Sequence, residues 1–350
     1  MSAIDFGRRT RIVRVLDGRM NFRLDMPVLL LSGLMAALAL VVMLLTLASG
    51  DYPVALTDVI SALVGQAEGR IHMVVVEWRL PRALLALIFG AALGISGAIF
   101  QSLTRNPLGS PDVIGFNSGA YTGALLVIIV FSGNYYQVAG GALLGGMVTA
   151  LAVYLLAWRR GVQGFRLIIV GIGMSAMLSS LNTWLMLRAD LEVAMAAAVW
   201  GAGSLNGLGL DKLWPTLLVM GVLIPLAFIL ARPMKQLEMG DDAARALGIT
   251  VEPVRLTLLV VGVALTATAT AVAGPIAFVS LAAPQIARRV TGAAGVALIP
   301  SAAMGALMLA AADFLAQRAF APTQLPVGVV TVSIGGLYFV WLLVREARRQ

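Results

Sequence analysis

Residues that ordinarily do chemistry are scarce in this chain. There is no cysteine and a single histidine, His72. This excludes a disulfide scaffold, a Cys-ligated zinc site, an iron–sulfur centre and a thiol nucleophile. One histidine in a loop between apolar runs also gives no Ser-His-Asp set. The only lysines are Lys212, which follows Asp211, and Lys235, which follows Met234. A phosphate-binding loop needs a Gly-Lys step, so no ATP-hydrolysing motif is present. No metal site, cofactor or catalytic residue is expected. What remains are arginines at the ends of apolar runs, Asp313 near the end of one run, and hydroxyl and amide side chains within runs. Such groups dock, orient and line; they do not break bonds.

The elements that hold them are set by composition. Of 350 residues, 60% are hydrophobic and 12% charged. A soluble domain carries about 25% charge, so this chain cannot cover itself against water. Runs free of Asp, Glu, Lys and Arg occupy 26–49, 83–104, 113–158, 167–187, 193–210, 213–231, 256–287, 290–312 and 319–344. A crossing helix needs about 20 such residues. The run 113–158 holds two spans, broken at the polar turn Ser132–Gln137. The glycine-rich run 193–210 is a partial helix plus loop at the membrane edge. Ala273-Gly274-Pro275 suggests a break inside 256–287.

Charge placement chooses between nine and ten spans. With the break, ten spans put 19 Lys and Arg on one side and 6 on the other; without it the division is 15 to 10. The positive-inside rule favours ten. The chain is therefore expected to be an all-α polytopic membrane protein with both termini cytoplasmic. Residues 1–25 form a basic cytoplasmic arm and 26–345 one transmembrane domain. The arm reads as an anchor near anionic lipid rather than as a nucleic-acid surface. The first run follows this arm without a cleavage pattern, so it is not expected to be a removed signal peptide.

Pairs such as Gly90/Gly94, Gly119/Gly123 and Gly141/Gly145 have the spacing that lets helices approach closely; packing within one bundle accounts for them. Buried acids near the midplane mark ion-coupled carriers, and their scarcity here argues that the energy source lies outside the chain. The longest internal loop, 232–255, contains Gly240, two helix-capping candidates in Asp241 and Asp242, and a stop at Gly248. It reads as a short amphipathic helix on the cytoplasmic face, either a capped connector or a docking element for a soluble partner.

The string Met239–Ile249 (MGDDAARALGI) resembles the coupling helix of the iron-siderophore and vitamin B12 class of ABC importer permeases. Trp78–Arg82 (WRLPR), Gly90–Gln101, Asn106–Gly115 (NPLGSPDVIG), Ala273–Phe278, Ala283–Arg288 and Leu325–Gly328 resemble other segments of that family, in its order. Glu77-Trp78, Phe165–Ile169 and Ala202–Gly207 are most similar to its ferric enterobactin branch, on the G-type subunit. The resemblance implies ten spans, an inner-membrane location and no enzymatic activity in this chain. It implies a second, homologous permease subunit, two ATPase subunits that hold ATP and Mg, and a periplasmic binding protein that delivers a ferric siderophore. Coupling to the ATPase falls on Leu237, Glu238, Met239, Gly240, Asp241, Asp242, Ala243, Ala244, Arg245, Ala246, Leu247 and Gly248. Binding-protein docking falls on Arg79 and Arg82; without the resemblance, both read as arginines snorkelling at a helix start. The family's third docking arginine aligns with Gln317, a departure that leaves Arg318 as the nearby substitute. The fifth span lines the pathway in this family. Ser175, Ser179, Asn182 and Thr183 recur there at helical spacing, and internal packing explains them equally well. A same-family importer of haem or cobalamin, and an ion-coupled transporter or channel, are the other functions considered.

Overall fold

The computed structural model describes residues 10–15, 20–50, 52–158 and 164–347. An antiparallel hairpin of β1 (Thr10–Val15) and β2 (Met20–Asp25) comes first. The basic arm thus carries strand structure, and its residues 1–9 and 16–19 lie outside the described residues. The rest is helical. In order come α1 (Met26–Ala48), α2 (Leu56–Leu63), α3 (Arg70–His72), a π-helical stretch Met73–Arg79, and α4 (Leu80–Thr104). Then follow α5 (Phe116–Phe131), α6 (Tyr135–Ala157), α7 (Gly164–Arg188), α8 (Leu191–Gly201) and α9 (Leu210–Ile229). The last set is α10 (Ala231–Glu238), α11 (Asp241–Ala246), α12 (Val251–Ala273), α13 (Val279–Thr291), α14 (Leu298–Arg318) and α15 (Val327–Ala347).

Seven helices among the described residues are long and apolar enough to cross a membrane, and α5, α8 and the first part of α15 are shorter apolar helices. The expected breaks are present. Asn134 caps α6 by accepting from the Gln137 N–H at 3.1 Å, while Gln137 Oε1 accepts from the Asn134 N–H at 2.8 Å. This reciprocal box ends the turn after α5. The second break falls at Gly274, whose φ of +73° suits glycine. Beyond it, α13 has only 13 residues. At 1.5 Å per residue it is about 20 Å long, short of the ~30 Å hydrocarbon core. Helix α13 is therefore a half-length helix that starts inside the bundle.

Helix α4 is the axis of the core. Phe89, Ile95, Ile99 and Leu85 on it are each 0% exposed. It packs most closely on α14, where Gly90 and Gly94 meet the backbone of Gly305 and Ser301. Gly119 and Gly123 of α5 meet Gly145 and Gly141 of α6 in the same way. The small-residue pairs thus serve contacts within one chain, which packing in lipid requires because lipid is as apolar as leucine.

Two connections depart from simple loops. After α8, residues 202–209 are wedged between helix ends rather than lying loose at an edge. The Ser204 N–H donates to Ala273 O at 2.7 Å, the Gly328 N–H donates to Gly203 O at 3.0 Å, and Leu205 is fully buried. After α4, the chain turns at Arg105 (φ +49°) and runs back into the bundle. It reaches Gly115, where a Cβ would lie 2.8 Å from Ser175 Oγ, midway along α7.

Candidate functional site

Three places along the bundle gather the candidate residues. On the face at the C-terminal end of α4, α10 and α11 form a helix–turn–helix. Gly240 (φ +113°) makes the turn and takes the N-cap position. Asp241 and Asp242 therefore lie in the first turn of α11 rather than at its cap. Carboxylates there still oppose the positive end of the helix. Gly248 (φ +83°) ends the segment as expected.

Asp241 bolts this motif to the bundle. Arg105 Nη2 donates to its Oδ1 at 2.6 Å, and Arg255 Nη2 donates to both oxygens at 2.8 Å. Arg105 also donates to Leu237 O at 2.8 Å through Nη2. One carboxylate thus ties α11 to the end of α4 and the start of α12. Burial pushes Asp241 up, but the hydrogen bonds and charges of Arg255 and Arg105 outweigh it and hold its carboxyl below the ordinary range. Burial pushes the Glu238 carboxyl above its ordinary range, against the charges of Lys235 and Arg288. Leu237 and Ala244 face inward and are buried. Met239 (68% exposed) and Leu247 (54%) face outward with Asp242 and Arg245, which pair with each other at 3.1 Å. The segment therefore has an anchoring side and a free side.

On the opposite face, the start of α4 is held by two arginines. Arg82 Nε donates to Asp313 Oδ2 at 3.1 Å and Nη2 donates to Oδ1 at 2.9 Å. Its Nη1 donates to Gln324 Oε1 at 2.9 Å. Gln317 Nε2 donates to the same Asp313 Oδ2 at 2.8 Å. Arg79 donates to the carbonyls of Leu47 (2.8 Å) and Tyr52 (2.7 Å), closing the end of α1. Both arginines therefore have structural partners within the chain, and both line a polar cavity of about 420 Å³ with Glu77, Gln317 and Gln324. Arg318 ends α14, half-buried and without an ion pair among the described residues.

Between the two faces lies a cavity of about 670 Å³. Asn117, Ser118 and Tyr121 of α5, Ser179, Asn182, Thr183 and Met186 of α7, Pro275, Ala277, Val329, Val332 and Ser333 line it. Among the described residues, no charged side chain does. Three of the four hydroxyl and amide residues expected on α7 are here. Ser179 and Thr183 are exposed, joined by a Thr183 Oγ1 bond to Ser179 O at 3.0 Å. Asn182 is buried and accepts from Thr122 Oγ1 at 2.7 Å, so packing holds it as well. Ser175 is elsewhere, beneath Gly115, with its Oγ unpartnered. Sequence reasoning missed Asp112, which sits behind the cavity wall on the returning segment. Its place among loop residues hid it, since its partners Ser280 and Phe278 are distant in sequence.

Comparison with known proteins agrees with this architecture. The profile of the FecCD transport family matches residues 38–345. The ferric enterobactin transport system permease protein FepG of Escherichia coli (strain K12) is 54% identical over 304 residues, covering 87% of this chain and 92% of that protein. The iron(3+)-hydroxamate import system permease protein FhuG of Bacillus subtilis (strain 168) is 37% identical, covering 88% and 94%. A solved inward-facing metal-chelate type ABC transporter superposes with a TM-score of 0.79 at 26% identity, covering 90% of this chain and 99% of that one. With seven helices of membrane-spanning length among the described residues and a family profile matching residues 38–345, the chain belongs to the FecCD transport family.

Proposed function

We propose that this chain is one permease half of an ATP-driven importer that carries ferric enterobactin across the bacterial inner membrane into the cytoplasm. The observation that carries the reading is the 54% identity to FepG, which extends over 92% of that protein. The uncharged cavity between the faces supports it: a bulky anionic ferric catecholate can pass hydroxyl and apolar groups without being held by fixed positive charge. The division of 19 and 6 positive side chains supports a cytoplasmic position for both termini and α10–α11.

On this reading the chain performs no chemistry. Two ATPase subunits dock below, one on the outward side of α10–α11 through Met239 and Leu247. ATP binding closes them and shifts that motif. Because Asp241 joins it to α4 and α12 through Arg105 and Arg255, the shift reaches the core helices as rigid bodies, and access alternates. A homologous second permease completes the pathway. A periplasmic binding protein docks at the opposite face, where Arg82 is pre-oriented by Asp313. Its fork keeps donors beyond those used within the chain, and arginine can bind a second carboxylate. Uptake of labelled ferric enterobactin in a strain lacking this chain tests the proposal: loss of uptake, restored by the gene, is expected, and unimpaired uptake overturns it.

A further inference from the structure

A further cavity, of about 670 Å³, lies at the end of the bundle that carries α10 and α11. The ends of α4, α10 and α13 and the loop before α14 wall it. Unlike the cavity beside α7, it is lined by charge, from Arg105, Glu238, Arg288 and Arg289. Arg105 is already committed to Leu237 O and to Asp241, and it closes the pocket toward α11. Arg288 and Arg289 stand in the last turn of α13, both exposed. Arg289 lies over the Tyr338 ring, 6.0 Å from its centroid. Arg288 makes no hydrogen bond or close ion pair among the described residues, and it acts on Glu238 only at longer range.

The opposite wall holds two polar atoms that lack partners. Ser102, at 3% exposure, and Glu238 are neighbours, yet Ser102 Oγ and Glu238 Oε1 are buried without a completed hydrogen bond. The loop before α14 presses on the same carboxylate: a Cβ on Gly295 would lie 3.1 Å from Glu238 Oε2. Buried polar groups in native proteins are paired, so orphans on a cavity wall call for a missing partner. One wall thus offers guanidinium donors, which suit phosphate oxygens. The other offers a carboxylate and a hydroxyl that need a donor. With Arg105 paired to Asp241, Arg288 and Arg289 face one acid, Glu238, and a singly charged anion balances the pocket.

We infer that this pocket binds a phosphodiester that carries an amine or hydroxyl a few atoms from the phosphate, with the phosphate on Arg288 and Arg289 and the donor on Glu238. Esters of phosphoethanolamine and phosphoglycerol have this form, both as membrane-lipid headgroups and as water-soluble molecules. The occupant is shared between α10 and the end of α13, and so braces the α10–α11 motif against the bundle. Nothing in this depends on what the importer carries.

The test uses the purified complex of this chain with its partner subunits, stripped of lipid in a non-ionic detergent. Native mass spectrometry reads retention of added phosphatidylethanolamine, and of diacylglycerol, which has the chains without the phosphate. Titration calorimetry reads binding of glycerophosphoethanolamine, the soluble ester. A phosphate-bearing probe is expected to bind, and diacylglycerol is not. Arg288→Gln/Arg289→Gln is expected to weaken that binding about tenfold or more. Arg166→Gln, at the start of α7 beside the end of α4 but outside the pocket, is expected to bind as wild type does. Should the double variant fail to assemble, Arg288→Gln alone breaks no existing bond, and a several-fold loss is expected. Binding of the lipid alone assigns a headgroup, and comparable binding of the soluble ester assigns a free ester; either supports the inference. Binding of neither, equal retention of diacylglycerol, or wild-type binding by the arginine variant would overturn it. So would loss of the ATPase from the double variant with no phosphate probe bound by wild type, which would give the pocket to an acidic side chain of that subunit. No siderophore enters this assay, so a different natural cargo would fail the uptake test and leave this result standing.

Discussion

Arg82 and Asp313 are 231 residues apart in sequence and meet as a bidentate ion pair, with side-chain exposures of 11% and 1%. The pair joins the start of α4 to α14. It explains why a charge is tolerated near the end of an apolar run: Asp313 also accepts from Gln317, and Arg82 donates to Gln324. Removing one member of a buried pair leaves the other uncompensated. Asp313→Asn is expected to cost about 3 kcal/mol of stability, read as a lower unfolding temperature in detergent. The double variant Arg82→Gln/Asp313→Asn should recover part of that loss, and an additive loss would show that the two act separately.

Asp241 gives a pH dependence with a definite sign. Its folded carboxyl titrates below the ordinary 3.8 because the hydrogen bonds from Arg255 and Arg105 outweigh burial. The ionised form is therefore favoured by folding. Its contribution is fully present above the unfolded value and is lost as pH falls through the lower folded value. Unfolding temperatures of wild type and Asp241→Asn should differ at neutral pH and converge on acidification below about pH 4. A gap that stays constant to low pH would exclude this carboxylate as the source.

The free side of α10–α11 should be separable from its anchored side. Leu247→Asp and Met239→Asp change only exposed positions, so insertion and assembly of the permease are expected to persist. Transport should fall at least about tenfold, as expected when an exposed interface anchor is lost, while the ATPase continues to hydrolyse ATP. Asp241→Arg, by contrast, should impair folding, because Asp241 binds two arginines of the bundle.

Gly97 allows α13 to begin inside the bundle. A side chain there would overlap the backbone of Ser280, and backbone cannot step aside cheaply. Gly97→Val is expected to cost about 3 kcal/mol and to appear as poor recovery of assembled protein on size exclusion. Gly173→Ala meets nothing nearby and should be neutral.

The chain lacks cysteine, so single cysteines report topology cleanly. Cysteines at positions 70 and 240 should label from opposite sides of the membrane in intact cells. Labelling of both from one side would contradict the orientation drawn from the charge division.

Much of this was legible from runs and charges. The turn at Asn134 and the break at Gly274 follow from polar and glycine signals, and Asp313 stood out as an acid at the end of an apolar run. Other features depend on distant contacts. Nothing local marks Arg79 as the residue that closes α1, because its partners are backbone carbonyls of Leu47 and Tyr52. The helical spacing of Ser175, Ser179, Asn182 and Thr183 was correct, but spacing cannot say which neighbour each meets. Gly115 takes Ser175, Thr122 takes Asn182, and only Ser179 and Thr183 are exposed on the cavity side. Asp112 was hidden for a similar reason: its three donors come from α5 and from a helix start more than 160 residues away.

The most direct test of the proposed function is reconstitution of the chain with its second permease, the ATPase and the binding protein in proteoliposomes. Ferric enterobactin is predicted to accumulate only when ATP is supplied on the α10–α11 side, and to stop when Leu247 is replaced by Asp. Accumulation driven by a proton or sodium gradient without ATP, or ATP-driven uptake of cobalamin in place of ferric enterobactin, would contradict the account.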